Sequence, residues 1–272
     1  MVVADMAGAA AGLMARVRAE KPLVHHITNF VVMNETANIT LCAGALPVMA
    51  HAKEEVEEMT SAAKALVLNI GTLWPEQIET MLLAGHCANQ CGVPIVLDPV
   101  GAGATRLRTD TGRRLLEELS IAITRANAAE IAALSGYEVN ISGVESRGVV
   151  GNPEELAKKF ARQYGCVAAM TGAVDIVTDG TLLARVANGH PMMTLVTGTG
   201  CMATSVVAAY AAVETDFVAA GAIALAAYGL AGEIAARNAK GPGSLHVELY
   251  DALAGLDEQS LRAGLRIEVA RQ

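Results

Sequence analysis

Residues 65–99 read ALVLNIGTLWPEQIETMLLAGHCANQCGVPIVLDP, and this stretch predicts the fold. Two apolar runs, Ala65–Ile70 and Pro94–Pro99, enclose the segment Pro75–Cys91, which has the length and composition of a helix. Pro75 suits the first turn of that helix. The order of strand, helix and strand is typical of two parallel strands joined by a crossover. The stretch therefore predicts an α/β protein with a mostly parallel sheet.

The same alternation continues on both sides of this stretch. Further strands are predicted at Leu46–Met49, Ile121–Thr124, Val167–Met170, Ile176–Thr178 and Leu182–Val186. Further helices are predicted at Lys53–Ala62, Thr109–Leu119, Asn127–Leu134 and Pro153–Tyr164. After Val196 the pattern is helical, with Cys201–Val213, Asp216–Ala239 and Ser244–Leu256 and no predicted strand. We expect one domain over residues 1–272, with flanking helices, a helical C-terminal third and a loop at Gly136–Asn152.

The composition limits where the protein acts and what it binds. The chain is 53% hydrophobic and 18% charged, and its N-terminus has no basic region leading into an apolar segment, so we expect a cytoplasmic protein. The apolar run Phe217–Ala231 is short and bounded by charged residues, which predicts a buried or subunit-interface helix rather than a membrane span. The five cysteines are expected to be reduced thiols. A net charge of −8 with few aromatic residues argues against nucleic-acid binding.

The segment with the most chemical information is residues 192–204, MMTLVTGTGCMAT, an apolar run followed by a Thr/Gly turn and a helix. Glycines allow close approach to a ligand, and the backbone N–H groups of Thr199 and Gly200 at a helix N-terminus would bind an anion. Cys201 lies in the first turn, where we expect a lowered thiol pKa and a role as base toward an alcohol. An ordinary strand-to-helix turn and a structural cysteine are the alternatives.

Other nucleotide-binding motifs fit less well. The pattern GxxxxGK[ST] is absent from the sequence, which excludes a P-loop ATPase. Gly198-x-Gly200-x-x-Ala203 matches GxGxxA, but that motif must begin a βαβ unit with an acidic residue about 20 residues further on. Helical sequence follows here instead, so an oxidoreductase is a minor alternative.

Acidic and polar residues that a kinase could use follow two predicted strands. Asp98 directly follows Pro94–Leu97 at the end of one predicted strand, and Glu130 follows Ile121–Thr124. Ligands of α/β sheets gather at the carboxyl ends of strands, so both carboxylates are candidates for holding Mg²⁺. Asp98 could also be a turn residue and Glu130 a partner of a helix dipole. The adjacent His25 and His26 point in different directions and do not predict a metal site.

An ordered set of short motifs extends over nearly the whole chain. These are HITNFVVMN at His26–Asn34, PVMAHA at Pro47–Ala52, LDPVG at Leu97–Gly101, NAAEI at Asn127–Ile131 and VTGTGC at Val196–Cys201. Together the motifs resemble the hydroxyethylthiazole kinase family of the ribokinase-like superfamily. The resemblance implies transfer of the γ-phosphate of ATP to the hydroxyl of 4-methyl-5-(2-hydroxyethyl)thiazole in thiamine biosynthesis and salvage. It also implies Mg²⁺ as cofactor and homotrimers with sites at subunit interfaces.

The resemblance further implies roles for single residues. Met49, Gly198 and Asn29 would contact the thiazole, Arg125 and Thr171 would contact ATP, and Asp98 and Glu130 would organise Mg²⁺. Cys201 takes the place of the aspartate base of ribokinase relatives. Ala126 and Ala129 stand where we expect Gly and Ser, which weakens the nucleotide-side assignment slightly. A hydroxymethylpyrimidine kinase, the oxidoreductase and a non-catalytic nucleotide-binding protein are the alternatives.

Overall fold

The computed structural model describes residues 5–137 and 152–271 and shows a sheet of nine strands covered by helices. The strands are β1 (Leu23–Ile27), β2 (Leu46–Val48), β3 (Ala65–Asn69), β4 (Ile95–Asp98), β5 (Ile123–Asn127), β6 (Val167–Thr171), β7 (Asp175–Thr178), β8 (Leu182–Val186) and β9 (Ile267–Arg271). The helices are α1 (Met6–Glu20), α2 (Met33–Ala43), α3 (Val56–Ala62), α4 (Pro75–Cys91), α5 (Arg106–Glu118), α6 (Ala128–Leu134), α7 (Pro153–Tyr164), α8 (Thr199–Ala211), α9 (Phe217–Asn238), α10 (Pro242–Ala254) and α11 (Glu258–Gly264). Most of the predicted loop Gly136–Asn152 lies outside the described residues.

The sheet has the order β2-β1-β3-β4-β5-β6-β7-β8-β9. The first six strands in this order are parallel, and β6 to β9 pair antiparallel. The prediction of a mostly parallel sheet is confirmed. Because parallel strands end at the same edge, the register that pairs Asn69 with Asp98 places polar side chains of adjacent strands side by side.

Two apolar layers cover the two faces of the sheet, and β3 shows how they are built. All five residues of β3 are buried. Val67 packs into a cluster with α1, α2, α8, α9 and α10, whereas Leu66 and Leu68 pack into the cluster on the opposite face with α4, α5 and α7. Strands covered on both faces are continuously apolar, and for this reason β3 and β4 were predictable from sequence.

Two strands differ from the prediction. Leu23–Ile27, where no strand was predicted, is β1 and lies between β2 and β3. His25 is buried there because its ring nitrogens bond to Thr60 Oγ1 and to the Ala50 carbonyl. The C-terminal third also contains β9, which pairs with β8 at the sheet edge. Its residues 267–270 are half-buried or exposed, so the apolar signal of this strand is short and weak.

The segment before the Gly-rich turn also differs from a strand-to-helix turn. Residues Pro191–Leu195 form a short 3-10 helix that His190 caps by accepting the Met192 N–H. The following helix α8 begins at Thr199, two residues before the predicted start. Gly198 therefore becomes the residue that precedes the helix.

Helix α9 is long and apolar enough to cross a membrane, and 78% of its most apolar window is buried inside the protein. It packs against α8 and α10 and against the sheet. The prediction of a buried helix is confirmed. The subunit contacts expected for this helix stay a prediction.

Gly229 in α9 provides a test of this packing. A Cβ atom there would lie 2.6 Å from the Asn188 carbonyl carbon and oxygen, which are backbone atoms and cannot rotate away. Gly229→Ala should therefore destabilise the protein by about 1–3 kcal/mol, as overpacking does. The free energy of unfolding from chemical denaturation measures this loss.

Gly12 in the exposed part of α1 is the matched control, because a Cβ atom there would meet no atom within 4 Å. Gly12→Ala should stabilise the protein by roughly 0.5–1 kcal/mol through helix propensity. If Gly229→Ala stabilised the protein as much as Gly12→Ala, the close packing of α9 on Asn188 would be refuted.

Candidate active site

The N-terminus of α8 faces the carboxyl ends of the parallel strands. Gly198 precedes the helix with φ +90°, a conformation that favours glycine, and a Cβ atom there would lie 2.8 Å from Val32 Cγ1. The first backbone N–H groups of a helix have no hydrogen-bond partner within the helix. Those of Thr199 and Gly200 face this edge and could donate hydrogen bonds to an anion. The Thr199 hydroxyl does not join them, because it donates to the carbonyls of Met193 and Val196.

Two amide side chains surround the thiol of Cys201. Asn69 Nδ2 lies 3.2 Å and Asn29 Nδ2 lies 3.7 Å from Cys201 Sγ. Asn29 Nδ2 also donates to Asn69 Oδ1 at 2.8 Å. Asn29 comes from the loop after β1 and Asn69 ends β3, so three separate elements build this part of the site.

Asp98 ends β4 and is fully buried. Its Oδ2 accepts hydrogen bonds from Asn69 Nδ2 at 2.9 Å and from Thr204 Oγ1 at 2.8 Å. Its Oδ1 has no hydrogen-bond partner among the described residues and lies 3.7 Å from Arg125 Nη1. Burial raises the pKa of Asp98, although the Arg125 charge and the hydrogen bonds oppose that rise.

Arg125 lies within β5, one residue beyond the predicted strand, and points toward the start of α8. Its Nη2 donates to Thr171 Oγ1 at 2.8 Å, so the two residues expected on the ATP side are neighbours. A Cβ atom on Gly200 would lie 2.8 Å from Arg125 Nη1. Glycine at position 200 therefore allows the guanidinium to lie against the helix N-terminus.

Glu130 caps the start of α6. Its Oε2 accepts the Asn127 N–H at 2.9 Å, and Asn127 Oδ1 accepts the Glu130 N–H at 2.9 Å. Its Oε1 accepts the Gly101 N–H at 2.8 Å, which ties the loop after β4 to α6. Burial and the negative charge of Asp98 raise the pKa of Glu130. These contacts agree with the alternative interpretation of Glu130 as a residue that stabilises the start of a helix.

The carboxyls of Asp98 and Glu130 fit a magnesium ion that arrives with a nucleotide. Asp98 offers a buried oxygen without a hydrogen-bond partner in the part of the chain that the structure describes. The two carboxyls repel each other, and a cation would relieve this repulsion. No group of three or more His, Cys, Asp or Glu among the described residues could hold a metal alone. Mg²⁺ commonly combines one or two carboxylates with substrate phosphates and water.

The predicted ionisation of Cys201 is wrong. Burial, and then the negative charge of Asp98, raise the pKa of the thiol to about 12. These effects outweigh the hydrogen bonds from Asn69 and Asn29 and the charge of the nearby Arg125, which lower the pKa of the thiol. Cys201 is therefore protonated near neutral pH, and it does not act as a thiolate base.

The structure brings the predicted residues to one edge, with Met49 at its margin. Met49 follows β2, the outermost of the parallel strands, and is half-buried. Three further residues were missed: Asn69, Thr204 and Asp175. Asn69 carries the same signal as Asp98, a polar residue ending an apolar strand, and Thr204 lies one helical turn after Gly200. The Gly-rich turn leads into α8 and α9 without a following strand, so the structure does not support the oxidoreductase alternative.

Comparisons with known proteins agree on one family. A model described as "Hydroxyethylthiazole kinase family" matches residues 14–259. A hydroxyethylthiazole kinase from Methanoculleus marisnigri is 56% identical over 258 residues, which cover 95% of this chain and 92% of that protein. The solved hydroxyethylthiazole kinase from Pyrococcus horikoshii OT3 is similar with a TM-score of 0.89 and 44% identity, covering 97% of this chain and 100% of that one.

A more distant structure confirms the predicted fold class. A ribokinase-like superfamily protein from Enterococcus faecalis matches with a TM-score of 0.62 and 12% identity, covering 85% of this chain and 86% of that one. At this identity the similarity is one of fold alone, and the ribokinase-like architecture predicted from sequence is confirmed.

Asp175, at the start of β7, makes the stability of the folded protein depend on pH. Burial raises the pKa of its carboxyl to about 6, while the Gly172 N–H that Oδ1 accepts at 2.9 Å opposes the rise. Because the pKa in the folded state exceeds that of the unfolded chain, the folded state binds more protons between about pH 4 and 6, and stability falls as pH rises through this range. Asp175→Asn should add about 1 kcal/mol to the free energy of unfolding at pH 7.5 and nothing at pH 4.

Asp179→Asn is the matched control for this measurement. Asp179 is exposed, and its Oδ1 accepts the N–H groups of Thr181 and Leu182 in the next turn. The control should lack the increase in the free energy of unfolding that Asp175→Asn shows at pH 7.5. An equal gain for Asp175→Asn at both pH values would contradict ionisation as the cause.

Proposed function

Because the chain belongs to the hydroxyethylthiazole kinase family, we propose that the edge between the parallel strands and α8 is where ATP phosphorylates the hydroxyl of 4-methyl-5-(2-hydroxyethyl)thiazole. The protein is a phosphotransferase that acts on an alcohol group, with ATP as donor, in thiamine biosynthesis and salvage. One observation supports this location of the reaction. Gly200 lies between Cys201, which follows it in the chain, and the guanidinium of Arg125. An alcohol at the thiol and a phosphate at the guanidinium would meet over the free amides of α8.

The thiazole side of the site is proposed to consist of Asn29, Met49 and Gly198. Asn29 supports this role because its amide lies 3.7 Å from the Cys201 sulfur. Gly198 supports it because the absence of a side chain brings the backbone close to Val32. Met49 supplies a polarizable apolar surface at the end of β2, suited to a sulfur-containing aromatic ring.

The ATP side is proposed to consist of Arg125, Thr171 and the N–H groups of Thr199 and Gly200. Guanidinium and hydroxyl groups form charge-assisted or neutral hydrogen bonds with phosphate oxygens. Asp98 and Glu130 would hold Mg²⁺ together with the phosphates. The metal would neutralise charge on the transferring phosphoryl group.

In the proposed reaction, the alcohol oxygen forms a bond to the γ-phosphorus, and the bond from phosphorus to the β,γ-bridging oxygen breaks with its electron pair leaving on ADP. Arg125 and the α8 amides stabilise charge on the transferring group. Cys201 orients the hydroxyl through its thiol. Since the transition state is loose, the alcohol loses its proton late, to a phosphoryl oxygen or water, and a strong base is unnecessary.

The site residues extend from the loop after β1 to α8, which supports a single kinase domain over residues 1–272. We also propose a cytoplasmic homotrimer with sites at subunit interfaces. Large apolar side chains lie exposed beside the site and on the adjacent helices, namely Phe30, Val31, Leu41, Leu195 and Val247. Phe30 and Val31, at 61% and 60% exposure, directly follow Asn29. A neighbouring subunit that covers them would lie next to the thiazole side.

An ADP-release assay tests the function. With ATP, Mg²⁺ and the thiazole alcohol, the enzyme should release ADP, and hydroxymethylpyrimidine in place of the thiazole should give a far lower kcat/KM. Cys201→Ala should lower kcat by about 10²-fold or less, because the lost group orients rather than ionises. Both KM values should change little.

Cys166→Ala is the control for loss of a buried thiol away from the site, since Cys166 contacts Thr124 and lies in the opposite apolar layer. Its kcat should match that of the parent enzyme. A Cys201→Ala enzyme with parental kcat would show that Cys201 only packs the site.

The assembly can be measured separately. Light scattering should give a mass of three chains, and Val31→Asp should reduce that mass and raise the KM for the thiazole, because a charge would lie in an apolar contact. Leu107→Asp is the control, since Leu107 is exposed on α5 at 52% and away from Phe30 and Val31 in the sequence. A parent enzyme that is monomeric and fully active would contradict the shared site.

A further inference from the structure

Asn69 uses all of its hydrogen-bonding capacity within the site. Its Oδ1 accepts the Gly71 N–H at 3.0 Å and Asn29 Nδ2 at 2.8 Å. Its Nδ2 donates to Asp98 Oδ2 at 2.9 Å and to Cys201 Sγ at 3.2 Å. A carboxamide has two N–H donors and two acceptor sites on its oxygen, so each of them has a partner. The side chain is 1% exposed, which leaves no room for competing water.

The backbone fixes which way this amide points. A backbone N–H can only donate, so the atom of Asn69 that receives the Gly71 N–H must be the oxygen. The nitrogen is then directed to Asp98 and Cys201. Gly71 is held in turn by Arg108, whose Nη2 donates to the Gly71 carbonyl at 2.7 Å. The orientation of the amide is thus set by the loop after β3 and does not depend on a bound ligand.

This orientation determines which atoms of the site remain for a substrate. With Asn69 and Thr204 both donating to Asp98 Oδ2, the carboxyl presents Oδ1 toward Arg125, on the ATP side. With Asn69 donating to Sγ, the thiol keeps a fixed position at the start of α8. One side chain therefore links the residue on the alcohol side to the residue on the phosphate side.

We propose that Asn69 is a positioning residue for phosphoryl transfer, which holds Cys201 and Asp98 in one fixed arrangement through the two hydrogens of its amide. The inference rests on the proposed function of the site. It concerns the alignment of reacting groups rather than their binding, because Asn69 is buried and all four of its hydrogen bonds go to protein atoms. Loss of alignment by a fraction of an ångström lowers turnover while leaving substrate affinity largely unchanged.

Asn69→Asp separates positioning from structural support. Aspartate keeps an oxygen for the Gly71 N–H and Asn29 Nδ2, but it loses both donors to Cys201 and Asp98 and places a second carboxyl oxygen against Asp98 Oδ2. Because that oxygen can also disturb the ATP side, the affinity comparison is made on the thiazole alcohol. We expect kcat to fall about 10- to 100-fold, with the KM and the calorimetric affinity for the thiazole alcohol within about threefold of the parent. A parental kcat for this variant would overturn the proposal.

Asn188→Ala is the matched control. Asn188 is also buried and makes three amide hydrogen bonds, to Glu233, the Gly264 carbonyl and the Arg266 N–H. It should lower the melting temperature without lowering kcat per folded protein. If Asn69→Asp lowered the melting temperature in the same way and kcat per folded protein were parental, Asn69 would be a structural residue only.

A double-mutant cycle decides the question even if Asn69→Asp does not fold. Asn69→Ala should lower kcat in the parent at least threefold more than it does in a Cys201→Ala background, because part of its effect passes through the thiol. Equal losses in both backgrounds would overturn the proposal. A parent enzyme inactive on the thiazole alcohol would overturn the proposed function and this inference with it, whereas an active parent with unaffected Asn69 variants would overturn the inference alone.

Discussion

A fully buried carboxyl at the end of a central strand is the constraint on which the site depends. Asp98 has no exposed surface, and a buried charge is costly unless hydrogen bonds and an opposite charge compensate it. Asn69, Thr204 and Arg125 supply that compensation from β3, α8 and β5. Each of these residues must therefore lie within a few ångströms of the same point, which fixes how α8 sits on the strand ends.

The negative charge of Asp98 is compensated on only one of its two oxygens. Two donors lie on Oδ2, while Oδ1 has only the more distant Arg125 nearby among the described residues. The second carboxyl, Glu130, accepts the backbone N–H groups of Gly101, in the loop after β4, and of Asn127, at the end of β5, and these bonds hold it near the negative charge of Asp98. The free site thus retains excess negative potential at its centre and N–H donors at its margin. A metal-bound polyphosphate carries both kinds of complementary charge.

The sequence alone predicted those helices and strands that are themselves rich in apolar residues. β3, β4 and α4 are covered or amphipathic along their whole length, and their bounds were predicted closely. β1 was missed because its two buried histidines look polar until their partners are seen, which are Thr60 and Ala50 for His25 and Thr40 for His26. β9 was missed because an edge strand has little apolar content. In the site, Asp98 and Cys201 were found from the strand-end rule and the Gly-rich turn, and Arg125 and Thr171 from the resemblance. Asn69 was missed because its importance comes from three partners distant in sequence, Asn29, Asp98 and Cys201.

The thiol shows most clearly why local rules are insufficient. From the sequence, Cys201 is a cysteine in the first turn of a helix, and the helix N-terminus stabilises a thiolate. In the fold, the same position is half-buried beside a carboxyl that comes from a strand about a hundred residues earlier, and desolvation with that charge raises the pKa of the thiol to about 12. A half-buried thiol next to a buried carboxyl is poorly suited to hold a negative charge, yet it is well suited to a precise position, because it costs little to bury when neutral. Precision is what a loose phosphoryl transfer needs from the acceptor side, since little negative charge develops on the alcohol before the bond to phosphorus forms.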